Sequence, residues 1–473
     1  MTPPIATDVP TIPAPVAGSF RDPHARVHDD GERILRALDP AAAAAFDALE
    51  RTLLYRSGQD AGHLIGTRRA SGPSADALLA QGWTAVLEHD RVPVVSYPYE
   101  WSFSMLRDAA LLHLELVGDA VRQGMGCKDG SAFNLQFVGC RPVFIDVSSF
   151  LPAPGELWPG YRQFCSQLLY PLLLEAYLGI SPAPLQRGSI EGIAPDVAAR
   201  LLRGSATLRP GVVSHVKVQA LAARRYATRT DPAAAAVHRP DAQRDITLAL
   251  VGRLRKLVAR LRAPDDASEW SEYAARDHYG VASLGAKDRF VAAAIDDVAP
   301  RTVLDLGAND GRYSLLALDR GAQVVAVDAD RRVIDQLYRR VCASGRPILP
   351  LVTDLADPSP ALGWGLQERT ALADRVAPDL ALTLALIHHL VIGRSIPIDD
   401  VIASLAATAP HVVLEVPHRD DPMVQRLLAP KPPDVHLDYH EERILASVHQ
   451  RFVVERQERL DGGTRTILQL RRR

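Results

Sequence analysis

Residues 301–314, RTVLDLGANDGRYS, constrain the fold of this chain more than any other stretch. Thr302 to Leu306 is a short apolar strand, and Gly307 and Gly311 then let the chain turn tightly into a helix beginning near Arg312. A side chain at either glycine would collide with anything lying across the strand tip, and ligands of open α/β sheets bind at that carboxyl edge. The pattern repeats downstream. Residues 323–327 form a second apolar strand ending in Asp328, 348–352 a third leading to Asp354, and 380–386 a fourth running into Ile387-His388-His389-Leu390. A fifth strand at 411–416, a helix over 437–452, a sixth strand at 452–456, a turn at 461–463 and a last strand at 464–470 follow. Strand alternating with helix means a mostly parallel sheet covered on both faces, a Rossmann-like doubly wound α/β arrangement. An acid ending the second strand, as Asp328 does, can accept hydrogen bonds from both hydroxyls of a ribose.

In this order and spacing, roughly 270–473 resembles the class I S-adenosylmethionine-dependent methyltransferases. DLGANDG matches the first motif of that family, Asp328 the second, Asp354 the third and 378–390 the fourth; a closing antiparallel hairpin is its usual ending. The resemblance implies S-adenosyl-L-methionine as cofactor, held by Asp305, Gly307, Ala308, Asn309, Gly311, Asp328, Ala329, Asp354 and Leu355. Asp305 then helps to place the methionyl ammonium, and Asp354 faces the adenine amino group; otherwise Asp305 is a turn residue capping the next helix. A nicotinamide-binding domain needs G-x-G-x-x-G, and GANDG lacks the middle glycine that lets backbone approach a pyrophosphate. His388 and His389 sit where such methyltransferases place acceptor-side groups. Either can take a hydroxyl proton near neutral pH, or one packs under the cofactor while the other caps a helix. The N/D-P-P-Y motif of amino-directed enzymes on nucleic acid is absent. Residues 415–418 (EVPH), 420–428 and 362–369 are similar to bacterial methyltransferases found beside nodulation and surface-polysaccharide genes. That implies a sugar, glycan or other hydroxylated small-molecule acceptor, with Trp364, Glu368 and Arg369 lining its pocket or, for the last two, forming a surface pair.

The N-terminal half carries a second pattern. A strand pair around Asp29-Asp30-Gly31 spans 18–38, a helix opens at Pro40 and runs to about Leu54, and short strands are expected at 83–88 and 92–96. A long amphipathic helix, 104–123, leads to a loop holding Asp129 and Asn134; strands at 135–138 and 143–147 then deliver Asp146. This order resembles the catalytic half of the protein-kinase and aminoglycoside-kinase fold. The resemblance implies that Asp129 orients or deprotonates an acceptor hydroxyl, while Asn134 and Asp146 hold magnesium at the phosphates of ATP. The sequence departs from that pattern: Lys128 precedes Asp129, Val-Ser follows Asp146, only Gly18 to Arg21 hints at a phosphate-covering hairpin, and Arg33 or Arg36 has to replace the usual lysine. Asp129 and Asp146 as turn and cap residues of a substrate-presenting scaffold is the alternative.

The expected division is a disordered lead over 1–17, a kinase-like α+β domain over 18–180, a helical middle segment over 181–266 ending in the linker Pro264-Asp265-Asp266, and the methyltransferase domain over 267–473. A net charge of -2 gives no bulk attraction to nucleic acid, and the basic run at 253–262 reads as a solvated helix face. Four cysteines without CxxC spacing argue against a zinc site or a disulfide framework. With no signal-like start and no spanning segment, the expectation is a cytoplasmic bacterial enzyme. Two other readings stand beside methyl transfer: a bifunctional kinase-methyltransferase, and a non-catalytic scaffold that senses the cofactor.

Overall fold

The computed structural model describes residues 12–153, 157–227, 240–264, 281–460 and 462–473. The first sheet is antiparallel, with β1 (Ala14–Pro15), β2 (Ala25–Asp29), β3 (Ile34–Leu38), β4 (Thr67–Arg69) and β5 (Ala85–His89) in the order β1-β2-β3-β5-β4. The side chain of Asp30 closes the β2–β3 turn by accepting from the N–H groups of Glu32 and Arg33. Two expectations need correction. The end of the lead is ordered, because Ala14–Pro15 pairs with β2 and His28 bonds Pro13; residues 1–11 lie outside the described residues. The stretch 92–96 is not a strand. Pro93 has no N–H for a ladder, Ser96 N donates to the Gln136 side chain, and Arg375 takes the Val95 carbonyl.

Ser102 caps the helix Phe103–Arg122, which packs its buried face against the short strands that follow it and against helix Pro240–Arg260. The segments β6 (Met125–Cys127), β7 (Leu135–Val138), β8 (Arg141–Phe144) and β9 (Phe150–Pro152) follow, paired as β6–β9 and β7–β8. Helical turns run from Tyr161–Phe164 to Tyr170–Leu178, then shorter helices lead to Val218–Ala227 and Pro240–Arg260. The expected linker at Pro264 falls almost wholly outside the described residues.

Helix Val281–Val298 opens the second unit. Its sheet holds β10 (Thr302–Leu306), β11 (Gln323–Asp328), β12 (Ile348–Val352), β13 (Leu380–Thr383), β14 (His411–Pro417), β15 (Phe452–Arg459) and β16 (Arg465–Arg472) in the order β12-β11-β10-β13-β14-β16-β15. The first five run parallel, and β16 is antiparallel to both its neighbours. The fourth strand stops at Thr383, short of the expected 386, and Ala385 takes a positive φ of 53° just beyond it.

The N-terminal half docks on the β12 side of this sheet, covering an edge that would otherwise expose unpaired backbone. Asp335 accepts from Ser102 Oγ at 2.8 Å and Ser104 N at 2.6 Å, so a C-terminal side chain caps an N-terminal helix. Glu175–Arg331 and Glu100–Arg375 are buried ion pairs across the same junction, and the ring of Tyr338 meets that of Phe137 edge-on. Among the described residues no helix is long and apolar enough to cross a membrane.

Candidate functional site

Beyond β10 the chain turns through Gly307 (φ 75°), Asn309 (φ 47°) and Gly311 (φ 75°). The N–H groups of Gly307 and Ala308 donate to Val327 O, binding the turn to the end of β11. A Cβ on Gly311 would stand 2.6 Å from the Leu337 side chain and displace it, and the φ of 75° itself favours glycine there. Asp305 is buried and accepts from Ser314 Oγ at 2.6 Å. Burial pushes its carboxyl up to about 6, against the pull of Ser314 and the charge of Lys287. Asp328 accepts from Asn309 N at 3.1 Å on one oxygen and Asp330 N at 2.9 Å on the other. Burial raises its pKa too. Ala329 lies between Asp328 and the helix cap Asp330. Thr353 N donates to Asp328 O, which sets the third strand tip beside the second. Asp354 accepts from Ala356 N at 2.9 Å and pairs with Arg394, while Leu355 packs partly buried against the core. The predicted cofactor residues therefore line one carboxyl edge, and Asp305 feels the charge of Asp328.

The same edge holds buried polar atoms with no hydrogen-bond partner: Thr353 Oγ1, Thr383 Oγ1 and both ring nitrogens of His388. Leaving such a group unsatisfied costs about 1–3 kcal/mol, so partners supplied by a ligand are the natural compensation. The ring of His389 lies 4.1 Å from that of His388. Burial holds His388 well below the usual imidazole range and lowers His389 to about 4, and the charge of Arg465 adds to both shifts. Both are neutral at pH 7. Next to them runs a buried charged network: Lys287 Nζ meets Glu415 at 2.6 Å, Arg465 meets Glu415 at 3.0 Å, and Arg465 Nε meets Asp421 at 2.6 Å. These pairs tie helix Val281–Val298 to β14 and β16.

The loop after β12 is placed differently from expectation. Glu368 does pair with Arg369, at 3.7 Å, but the pair is largely buried rather than on the surface, and Glu368 also bonds Arg21 of the N-terminal half. Arg369 stacks 4.2 Å over the Phe133 ring, and Trp364 is 78% exposed.

In the N-terminal half Asp129, Asn134 and Asp146 do converge. Asn134 Nδ2 donates to Asp146 at 3.3 Å, and Ser149 Oγ reaches Asp146 at 2.6 Å and Asp129 at 3.3 Å. Arg36 donates to Asp146 at 2.7 Å and to His89 at 3.1 Å; Arg33 instead pairs with Asp30. Burial raises the Asp129 carboxyl, with the nearby Asp146 charge adding to it. Burial opposes ionisation of Asp146, but Arg36 and the two serines outweigh it and hold its pKa below the usual range. Burial lowers His89 to about 3. As arranged, these groups do not fit a magnesium ion. Each Asp146 oxygen already has two donors, Asn134 turns its amide N–H toward it, and a guanidinium supplies the positive charge. Among the described residues no group of three or more His, Cys, Asp or Glu side chains could hold a metal. Gly18 to Arg21 is a tight helical turn against the Glu368 loop rather than a phosphate-covering hairpin.

Sequence reasoning missed Ser314, Lys287 and Arg465 around the first site and, around the second, Ser149, Ser148, which donates to Asp146 at 2.6 Å, and Asp22, which accepts from Lys128 at 2.9 Å. Ser314 sits three residues past Gly311 on the first helical turn, a position from which it reaches back to the preceding strand end. Lys287 and Arg465 lie far from the motifs in sequence and leave no local signal.

The chain is 35% identical over 461 residues to nodulation protein NoeA of Rhizobium meliloti (strain 1021), covering 96% of this chain and 95% of that protein. Among solved structures it is similar to N-methyltransferase NodS from Bradyrhizobium japonicum WM9, at 11% identity over 40% of this chain and 96% of that one, TM-score 0.30. It is also similar to magnesium protoporphyrin IX methyltransferase (ChlM) from Synechocystis PCC 6803, at 16% identity over 48% and 95%, TM-score 0.30. A third likeness, to WbdD, covers 46% of each chain at 19% identity, TM-score 0.30. No family model matches.

Proposed function

We infer that this chain, which belongs to the family of nodulation protein NoeA, is an S-adenosylmethionine-dependent methyltransferase acting on a hydroxyl of a sugar, glycan or secondary-metabolite precursor. One observation carries the reading: unpartnered buried Thr353, Thr383 and His388 lie along the strand edge that also presents Asp305 and Asp328. The residues fit the cofactor. Asp328 keeps lone pairs for two ribose hydroxyls, Asp305 with Ser314 faces the methionyl ammonium, and Asp354 and Leu355 lie toward the adenine. Gly307, Ala308, Asn309, Gly311 and Ala329 form a backbone wall. When bound, S-adenosylmethionine supplies a methyl group on a positively charged sulfur, open to in-line displacement. Alignment is then the main catalytic demand. His388 and His389, both neutral, offer imidazole lone pairs to the acceptor hydroxyl, and one of them takes its proton as the oxygen–carbon bond forms. Their weak basicity makes that transfer late.

The test is to incubate the full chain with methyl-labelled S-adenosylmethionine and a panel of glycans and hydroxylated small molecules. Expected are S-adenosylhomocysteine and a labelled methyl ether, both lost with His388→Ala. Cofactor binding without product across the panel would favour the cofactor-sensing scaffold.

For the N-terminal half, a kinase-like domain is supported by the convergence of Asp129, Asn134 and Asp146 beneath an antiparallel sheet. The Arg36–Asp146 pair favours a scaffold over phosphotransfer. ATP turnover with magnesium, abolished by Asp146→Ala, would restore the bifunctional reading.

A further inference from the structure

Residues 353–379 join β12 to β13 with only two short helical turns, Trp364–Leu366 and Leu372–Arg375. Ordering a connection of that length and so little internal structure costs conformational entropy that contacts from elsewhere must offset. The fastening comes from the other half of the chain. Arg187, on the short helix Ala183–Gly188, donates to both carboxylate oxygens of Asp357 at 3.0 Å, to Asp357 O at 3.3 Å and to Pro358 O at 3.4 Å. Arg21 grips Glu368, Tyr97 Oη accepts from Thr370 N at 3.0 Å, and Glu100 pairs with Arg375. Gly18 approaches so closely that a Cβ there would lie 2.6 Å from Glu368 O.

Of these fastenings the one at Arg187 acts nearest the candidate cofactor site. Asp357 N donates to Asp354 O at 3.0 Å, and the two residues form an isolated antiparallel bridge. Holding Asp357 therefore holds the turn that presents Asp354. The Arg187–Asp357 pair is largely exposed on the aspartate side, and exposed pairs add little to global stability. A planar guanidinium with four acceptors on two adjacent residues does fix position.

We propose that Arg187 is a positioning residue for the adenine end of the cofactor site, acting through Asp357 on Asp354, so that the N-terminal half sets how tightly the C-terminal half holds its ligand. This rests on reading the strand edge as a S-adenosylmethionine site. It gives the N-terminal half a role that needs neither nucleotide nor metal.

The experiment is calorimetric titration of the full chain with S-adenosylhomocysteine and with 5′-methylthioadenosine, which keeps the adenosine and lacks the amino-acid end. Arg187→Ala should raise both dissociation constants by the same factor, about tenfold. Asp357→Ala should do the same, the double variant should be no worse than either single one, and Arg187→Lys should recover part of the loss. Amide exchange in the 354–360 segment should quicken while the melting temperature stays put. Unchanged dissociation constants, or a loss that only follows a fall in melting temperature, overturn the proposal. A wild-type chain that binds neither ligand instead overturns the reading of the strand edge, and the proposal falls with it.

Discussion

Replacing Asp328 by asparagine removes one charge and changes little in shape. In the wild type its two oxygens each accept one backbone N–H, from Asn309 and from Asp330, leaving lone pairs for two ribose hydroxyls. Hydrogen bonds to a charged acceptor are worth about 1.5–3 kcal/mol each, against about 0.5–1.5 kcal/mol for neutral pairs. Losing the charge at two such bonds costs about 3 kcal/mol, or roughly a hundredfold in affinity. The fold is affected differently. Asparagine oxygen keeps one of the two backbone bonds and its amide forfeits the other, costing about 1 kcal/mol, but burial no longer has to accommodate a carboxylate that it disfavours. Titration with S-adenosylhomocysteine, with thermal denaturation on the same samples, separates the two effects. A variant that binds within threefold of wild type would refute the assignment of Asp328 to the ribose. So would a loss of binding accompanied by unfolding.

Further outcomes follow from the same geometry. Glu415→Ala leaves Lys287 and Arg465 without their shared buried anion and should lower the unfolding free energy by about 3–5 kcal/mol, read by urea denaturation. His389 titrates at about 4 when folded against about 6.5 when unfolded, so the unfolded chain binds more protons between those values. Its contribution is complete above pH 6.5 and fades as pH falls through 4, by up to about 3 kcal/mol. Asp305, raised to about 6, works in the opposite direction, since protonation below that value relieves its burial. Denaturation curves from pH 4 to 8 should therefore flatten at the acidic end in His389→Gln and steepen there in Asp305→Asn. Asp335→Ala removes the cap that joins the halves and should speed proteolytic separation of the two, read by limited digestion.

The C-terminal sheet was legible because each strand is apolar and ends in a turn signal or an acid, so β10, β11 and β12 lie almost where periodicity places them. Their parallel order follows from the intervening helices. The N-terminal strand pair was legible from Asp30-Gly31, and the convergence of Asp129, Asn134 and Asp146 from the resemblance to the kinase fold. Three things were not. Short β4 has too few residues to show a period. The stretch 92–96 looks strand-like, yet its backbone groups are claimed by the side chains of Gln136 and Arg375, partners distant in sequence. Glu368 reads as surface charge because the residue that buries it, Arg21, lies in the other half of the chain. Local pattern carries no information about such long-range pairings, and they decide both the docking of the halves and the shape of the loop beside Asp354.

The most direct measurement is a crystal structure of the full chain grown with S-adenosylhomocysteine. The account predicts the nucleoside across the tips of β10 and β11, with its ribose hydroxyls on Asp328, its amino group toward Asp305 and its adenine toward Asp354. Electron density for the ligand at any other place, or a saturated crystal with that edge empty, would contradict it.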